Sequence, residues 1–403
     1  VKFLLKMIER RRAKWEQSRL LKHWLPLFDA IDAFLFRRAE NARRAPFVRD
    51  RVDIKRYMMM VVIALMPATI AAVYFWGWRC LLLIVISYAF GGTAEVLFSV
   101  IRKEEVSEGF LVTGILFPLT LSAATPWWVV ALGVVFGVVI GKEIFGGTGK
   151  NFFNPALVAR VFVYITFPSL TAGTGAQNVW DPNAANAGWP GGFAQWSSAA
   201  VEADAETEVD AASSATPLNA YKKWATAQDE ATREQALAER PTTMAMLLGN
   251  VRGSMGETSA LLLVLGGVML LVWRIASWRI VLSTLVTAAA FSGIMHAAGL
   301  EKFAPPVTTL LSGGLMLGAF FMATDPVSAP GTRQAHWTYG IIIGLMTVLI
   351  RGISGFPEGV MFAILFANVF ASLLDYIVIQ LRYRKRKARR LLVRENAPHG
   401  RAA

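Results

Sequence analysis

Long apolar runs separated by short polar connections dominate the chain. They occupy 57–76, 79–101, 109–125, 127–141, 154–168, 257–273, 280–298, 307–324, 339–350 and 360–380. The first, YMMMVVIALMPATIAAVYFW, holds no ionisable group beyond its tyrosine hydroxyls, and about 20 such residues suffice to cross a hydrocarbon core. Such a segment must be helical, because lipid offers no partner to an open backbone N–H or C=O. The pattern predicts an all-α integral membrane protein with ten transmembrane helices. One long polar segment, 169–256, divides the runs into two sets of five. The expected organisation is a basic arm (1–56), a first five-helix unit (57–168), a loop (169–256), a second five-helix unit (257–380) and a basic tail (381–403).

Charge orients this arrangement. Sixteen Lys and Arg lie in 1–56 and nine in 382–403. Lys and Arg beside membrane spans mark the cytoplasmic side and meet anionic lipid. Ten crossings place both basic ends there, together with the connections Arg102–Lys103, Lys142–Lys150 and Arg274–Arg279, and leave 169–256 outside. Its acidic stretch VEADAETEVD (201–210) suits that side. The net charge of +13 therefore reflects the membrane, and nucleic acid is not an expected partner.

The two units resemble each other. Trp78–Arg79 and Trp278–Arg279 each open a run. Leu111, Gly114 and Phe117 recur as Leu315, Gly318 and Phe321, and Gly133, Gly137 and Ala156 recur as Gly340, Gly344 and Ala363. An odd number of crossings per unit makes the repeats inverted, an architecture that places sites between short or broken helices. Runs 109–125, 127–141 and 339–350 are short, and Pro118, Pro155 and Pro326 interrupt or bound helices. Gly- and Leu-rich helices also match by coincidence, so these correspondences alone do not establish a duplication.

The candidate chemistry is sparse. FGGTGK (145–150) looks like a phosphate loop but lacks its first Gly and its final Ser or Thr, positions held by Ile144 and Asn151. The amides of Asn151 and Asn154 that follow can both donate and accept, which suits the edge of a flavin or quinone ring; helix capping explains them equally well. Intramembrane acids are costly and usually functional. Glu95 follows the paired Gly91 and Gly92, which would let a planar ligand approach the backbone; Asp325 lies in FMATDP and Asp375 in the last run. Their carboxylates could bind a hard cation such as Na⁺ or relay protons, while Asp325 and Asp375 could equally sit at an interface. The single cysteine, Cys80, rules out a disulfide framework and an iron–sulfur cluster held by this chain alone, and the four histidines show no metal-ligand spacing. DAASSATPL (210–218) exposes the Thr216 hydroxyl in the external loop.

Several blocks, in order, resemble the B subunit of the sodium-translocating NADH:quinone oxidoreductases of bacterial membranes: VRDRVDIKR (48–56), FGGTAEVLF (90–98), RKEEVSEGFLVTGILF (102–117), GKEIFGGTGKNFFNPALVAR (141–160), SSATPL (213–218), FFMATDPVSA (320–329), YGIIIGLMTVLIR (339–351) and PEGVMFAILFANVF (357–370). The resemblance implies FMN joined to Thr216 by a phosphoester, installed by a flavin transferase outside the membrane. Asp210 opens that motif, and Ser214 departs from its usual Gly. It further implies a non-covalent riboflavin near Asn151 and Asn154, ubiquinone at Gly91 and Gly92, and a sodium route through Glu95 and Asp375, to which Asp325 is added as an intramembrane acid. The expected partners are one subunit with NADH, FAD and iron–sulfur sites, a second FMN-bearing subunit and small membrane subunits. No strand–GxGxxG–helix unit is present to bind NADH here. The D subunit of the Rnf ferredoxin:NAD oxidoreductases is the related alternative. An inverted-repeat channel without redox chemistry would explain the topology but leave Thr216 without a role.

Overall fold

A computed structural model describes residues 54–103, 109–123, 125–171, 217–227, 229–230, 233–234, 240–249, 253–257, 259–354 and 359–395. Thr216, Asp210 and Ser214 lie outside these residues, as do the basic arm through Asp53 and the tail from Asn396. The described secondary structure is helical, with no strand among the described residues. Helices α1 (Ile54–Trp76), α2 (Trp78–Arg102), α3 (Gly109–Leu119), α4 (Trp127–Gly141) and α5 (Pro155–Thr166) precede the long polar segment. That segment contributes α6 (Pro217–Thr226) and α7 (Thr243–Leu248). Helices α8 (Ala260–Val272), α9 (Trp278–Ala297), α10 (Pro306–Leu311), α11 (Ala335–Ile353) and α12 (Val360–Glu395) complete the chain.

Among the described residues, six helices are long and apolar enough to cross a membrane: α1, α2, α4 with its following turn, α9, α11 and α12. Three shorter apolar helices, α3, α5 and α8, pack among them. Large apolar side chains such as Ile70, Val85, Leu132, Val286 and Val369 are exposed, as expected of a surface facing lipid. The interior depends on small residues, which let helix backbones approach where apolar side chains gain nothing by leaving lipid. At Gly266 of α8 a Cβ would lie 2.0 Å from the Ala64 carbonyl oxygen of α1. Gly137 of α4 is similarly closed in by Pro155 and Ala159 of α5, and Gly344 of α11 by Thr284 and Ala288 of α9. Gly266→Val should therefore push α1 and α8 apart and lower the thermal midpoint of the assembled protein; an unchanged midpoint would show the contact to be dispensable.

Helix ends follow the sequence locally. Asn154 caps α5, accepting from the Ala156 N–H at 3.0 Å, with Pro155 in the first turn. Ser259 caps α8 through the Leu262 N–H. Three elements differ from the apolar pattern. The run 109–125 is helical only to Leu119, just past Pro118. The run 339–350 is not short: α11 begins at the fully buried Ala335 and has 19 residues, because the helix extends back through His336, Trp337 and Thr338, which lie outside the apolar run. Helix α12 continues past 380 as a 36-residue rod whose basic stretch 382–390 is exposed.

The run 307–324 is broken. Helix α10 stops at Leu311, Gly313 and Gly314 both adopt φ 66°, and the chain resumes as one turn, Leu315–Leu317, opening into a π-helix, Gly318–Met322. Unwound backbone inside lipid survives only where protein satisfies it. Here the buried Arg351 guanidinium of α11 donates to the carbonyls of Thr309 (2.7 Å), Ser312 (3.0 Å) and Gly313 (2.7 Å).

The bundle has two distinct ends joined by α11, about 28 Å long at 1.5 Å per residue. At one end His336 bridges Ser277 and the Pro330 carbonyl, and Tyr57 donates to the Ile275 carbonyl at 2.8 Å. At the other, α6 docks through buried Leu218 and Tyr221, with Tyr221 donating to the Phe303 carbonyl at 3.2 Å and Lys222 to that of Ser354. Burial, and then the neighbouring charge of Lys302, holds the Lys222 ammonium below the ordinary lysine range.

Candidate functional site

At the Tyr57 end, Tyr57, Val112, Asn154, Ile275, Phe321 and Asp325 line a small cleft that is partly open to its surroundings. It draws on the starts of α1, α3 and α5 and on the exit from the π-helix. Single π-turns recur at functional sites because the extra residue re-aims side chains. Here Thr324 returns its hydroxyl to the Phe320 carbonyl (2.6 Å), and the chain turns so that Asp325 faces the cleft. Asp325 accepts from the Ser328 hydroxyl at 2.8 Å and, at the limit of reach, from the Val327 N–H at 3.5 Å. Both bonds fall within the turn that Pro326 opens, so the carboxylate is held by its own loop.

The loop between α4 and α5 supplies the amides. Asn151 donates to the Phe153 carbonyl at 2.8 Å, and Asn154 spends its oxygen on the helix cap. Among the described residues these are the bonds they make, so a ligand would meet the Asn151 oxygen and the Asn154 amide nitrogen. One acceptor and one donor, both on buried side chains, are the chemistry a flavin's polar edge requires. Phe145 and Phe152, exposed and edge to face at 5.3 Å, flank them on the same loop. The residues present fit such a group.

Gly91 and Gly92 do hold a planar group against the helix backbone: it is the Phe110 ring of α3. Its atoms would lie 2.5 Å from a Cβ at Gly91 and 3.2 Å from one at Gly92. The ring is braced edge to face by Tyr88, whose hydroxyl donates to the Leu111 carbonyl at 2.6 Å.

One turn beyond Gly91, Glu95 is buried and bonded to Lys142, with Oε1 and Nζ 2.6 Å apart. Lys142 is also 3.8 Å from Glu143, whose other oxygen meets Arg102 at 2.6 Å. The structure thus joins Glu95 to a four-member charge cluster and Asn154 to Asp325. Asp375 lies elsewhere. It accepts from the Gly331 and Thr332 N–H groups at 2.7 and 2.8 Å, tying α12 to the loop that begins at Asp325. Lys142 sits in a connection that its sequence marks only as basic, yet the residue is 4% exposed. The sequence marks the spot only by a Lys–Glu pair directly after an apolar run and shows nothing of its facing Glu95.

A sequence profile of the NQR2, RnfD, RnfE family matches residues 41–384. The chain belongs to that family. Among its relatives is the B subunit of the Na(+)-translocating NADH-quinone reductase of Pseudomonas paraeruginosa (strain DSM 24068 / PA7), 36% identical over 96% of this chain and 99% of the relative. Proteins of the same name from Azotobacter vinelandii (35% identity, 93% of this chain and 96% of the relative) and Pseudoalteromonas atlantica (37%, 95% and 98%) also align nearly end to end. The family match covers every helix from α1 to α11 and α12 as far as Arg384. The cleft and the charge cluster therefore belong to the part of the chain shared with the family.

Proposed function

We propose that this chain is the membrane-embedded B subunit of a Na⁺-translocating NADH:ubiquinone oxidoreductase. The observation that carries this reading is end-to-end similarity to relatives of that name. In such a complex, partner subunits would hold the NADH, FAD and iron–sulfur sites; in this chain Thr216 would carry FMN through a phosphoester, Asn151 and Asn154 would hold a riboflavin, and Gly91 and Gly92 would flank ubiquinone. Bound flavin supplies one-electron chemistry, while the protein sets its distance, dielectric and surrounding charge. Helix α6 starts at the residue after Thr216 and docks at the Phe303 end, whereas Asn154 lines the cleft at the Tyr57 end. That separation supports electron passage along the bundle. Glu95, Asp375 and Asp325 provide carboxylates for the sodium route. A quinone ring at Gly91–Gly92 would take the place of the Phe110 ring, so Phe110 acts as the gate to that position.

We further assign ten crossings in two inverted units, with both termini cytoplasmic and the Thr216 loop external. The order of helix packing supports this: α2 against α4 and α4 against α5 in the first unit correspond to α9 against α11 and α11 against α12 in the second, with α1 against α8 at the join. A flavin transferase matures the protein on the external side.

The complex reconstituted in liposomes should couple NADH oxidation by ubiquinone to ²²Na⁺ uptake, and activity without Na⁺ movement would defeat the reading. For the riboflavin assignment, Asn154→Leu should eliminate extractable riboflavin while FMN remains. It also removes a helix cap worth about 1 kcal/mol. Asn154→Asp keeps the cap but loses the amide donor, and should show the same loss. Retained riboflavin in the Asp variant would refute the contact.

A further inference from the structure

We propose that Lys142 is a built-in cation that Na⁺ must displace from Glu95. The proposal rests on the reading of Glu95 as part of the sodium route. The cluster alternates in sign: Glu95, Lys142, Glu143 and Arg102 form a continuous chain of contacts at 2.6, 3.8 and 2.6 Å. The first three side chains are at most 5% exposed. Its formal charges sum to zero. A neutral cluster in a medium of low dielectric gains nothing by accepting one more cation, so Na⁺ reaches Glu95 by exchange, not by addition.

Lys142 stands where such an exchange is possible. Its ammonium lies between two carboxylates, close to Glu95 and about an ångström farther from Glu143. A rotation about its flexible stem carries the charge toward Glu143 without leaving the cluster. Na⁺ at Glu95 then replaces the departed charge, and the buried Ser99, one helical turn along α2, is an additional oxygen on that face.

The FGGTGK run, which does not form a phosphate loop, gains a role. Helix α4 ends at Gly141 with Lys142 as its C-cap, and a 3₁₀ turn, Glu143–Phe145, leads into Gly146 and Gly147, whose φ values of 108° and 94° favour glycine. The Gly147 N–H donates back to the Lys142 carbonyl at 3.2 Å. The turn holds the Lys142 backbone while leaving its side chain the freedom to change partner. The same loop continues into Asn151 and Asn154, so a change at the cluster has a short covalent path to the amides.

The test uses the assembled complex and the Na⁺ concentration giving half-maximal NADH:quinone activity, with choline holding ionic strength constant. If Lys142 occupies Glu95 for about nine-tenths of the time, its removal raises apparent Na⁺ affinity about tenfold. Lys142→Met should lower the half-saturating Na⁺ accordingly. Lys142→Arg, with a rigid fork suited to both carboxylates, should raise it. Glu95→Gln should weaken Na⁺ dependence, and adding Lys142→Met to it should produce no further gain. A shifted value in Glu95→Gln with an unchanged value in both Lys142 variants overturns the proposal and leaves Glu95 on the route. An unchanged value in Glu95→Gln removes Glu95 from the route and the proposal with it. If Lys142→Met does not assemble, the charge-preserving Lys142→Arg decides alone: a raised value supports exchange, and an unchanged one refutes it.

Discussion

Replacing Thr216 by Leu is expected to abolish the covalent flavin while leaving the bundle folded. A phosphoester needs a hydroxyl, and Leu offers none. The neighbouring structure depends on other groups: α6 is held by buried Leu218 and Tyr221, by the Tyr221 hydroxyl on the Phe303 carbonyl, and by Lys222 on Ser354. None of these involves the Thr216 side chain. A denaturing gel under ultraviolet light should therefore lose its fluorescent band, circular dichroism should retain the helical signal, and NADH-driven quinone reduction by the complex should fall to background. A fluorescent band persisting in the denatured variant would move the attachment elsewhere.

The second large effect is structural. Arg351→Met removes three hydrogen bonds, one to Thr309 in α10 and two to Ser312 and Gly313 in the unwound stretch that follows it. Bonds to a charged donor contribute about 1.5–3 kcal/mol each. Even with relaxation, the loss should exceed roughly 4 kcal/mol, a large part of the 5–15 kcal/mol that keeps most domains folded. The protein should fail to accumulate, or the complex should melt at a markedly lower temperature, with faster amide exchange at 312–318. Arg351→Lys should rescue little, because one ammonium cannot reproduce a fork directed at three carbonyls. A melting temperature equal to that of the unaltered protein would show that these carbonyls find other partners.

Most helices were legible because an apolar run in lipid must satisfy its own backbone: the run 127–141 coincides with α4, and 57–76 falls within α1. Their ends were less so. Leu121 and Ala123 are apolar and buried, yet α3 has already stopped after Pro118, since burial does not require helix. Conversely, α12 runs on through Arg384 to Glu395, because Lys, Arg and Leu are good helix formers even where nothing buries them. At the site, Asn154 proved to be a cap, a role that its position before Pro155 announces. The partners of Glu95 were hidden. Lys142 lies 47 positions away in the chain (142 − 95), and only the packing of α2 against α4 brings the two together. The glycine matches at 133/340 and 137/344 also concealed a difference: Gly137 is tight against the following helix, α5, whereas Gly344 is tight against the preceding one, α9.

Helix α12 contains neither glycine nor proline from end to end, so it has no joint at which a twist could dissipate. Asp375 lies partway along it, clasping the backbone of Gly331 and Thr332. A soluble neighbour that gripped the cationic end around Arg384–Arg390 would act on a stiff lever with the Asp375 clasp as its point of delivery. Torque applied outside the lipid would then reach the segment that begins at Asp325, a mechanical route for binding at the surface to be felt beside the cleft.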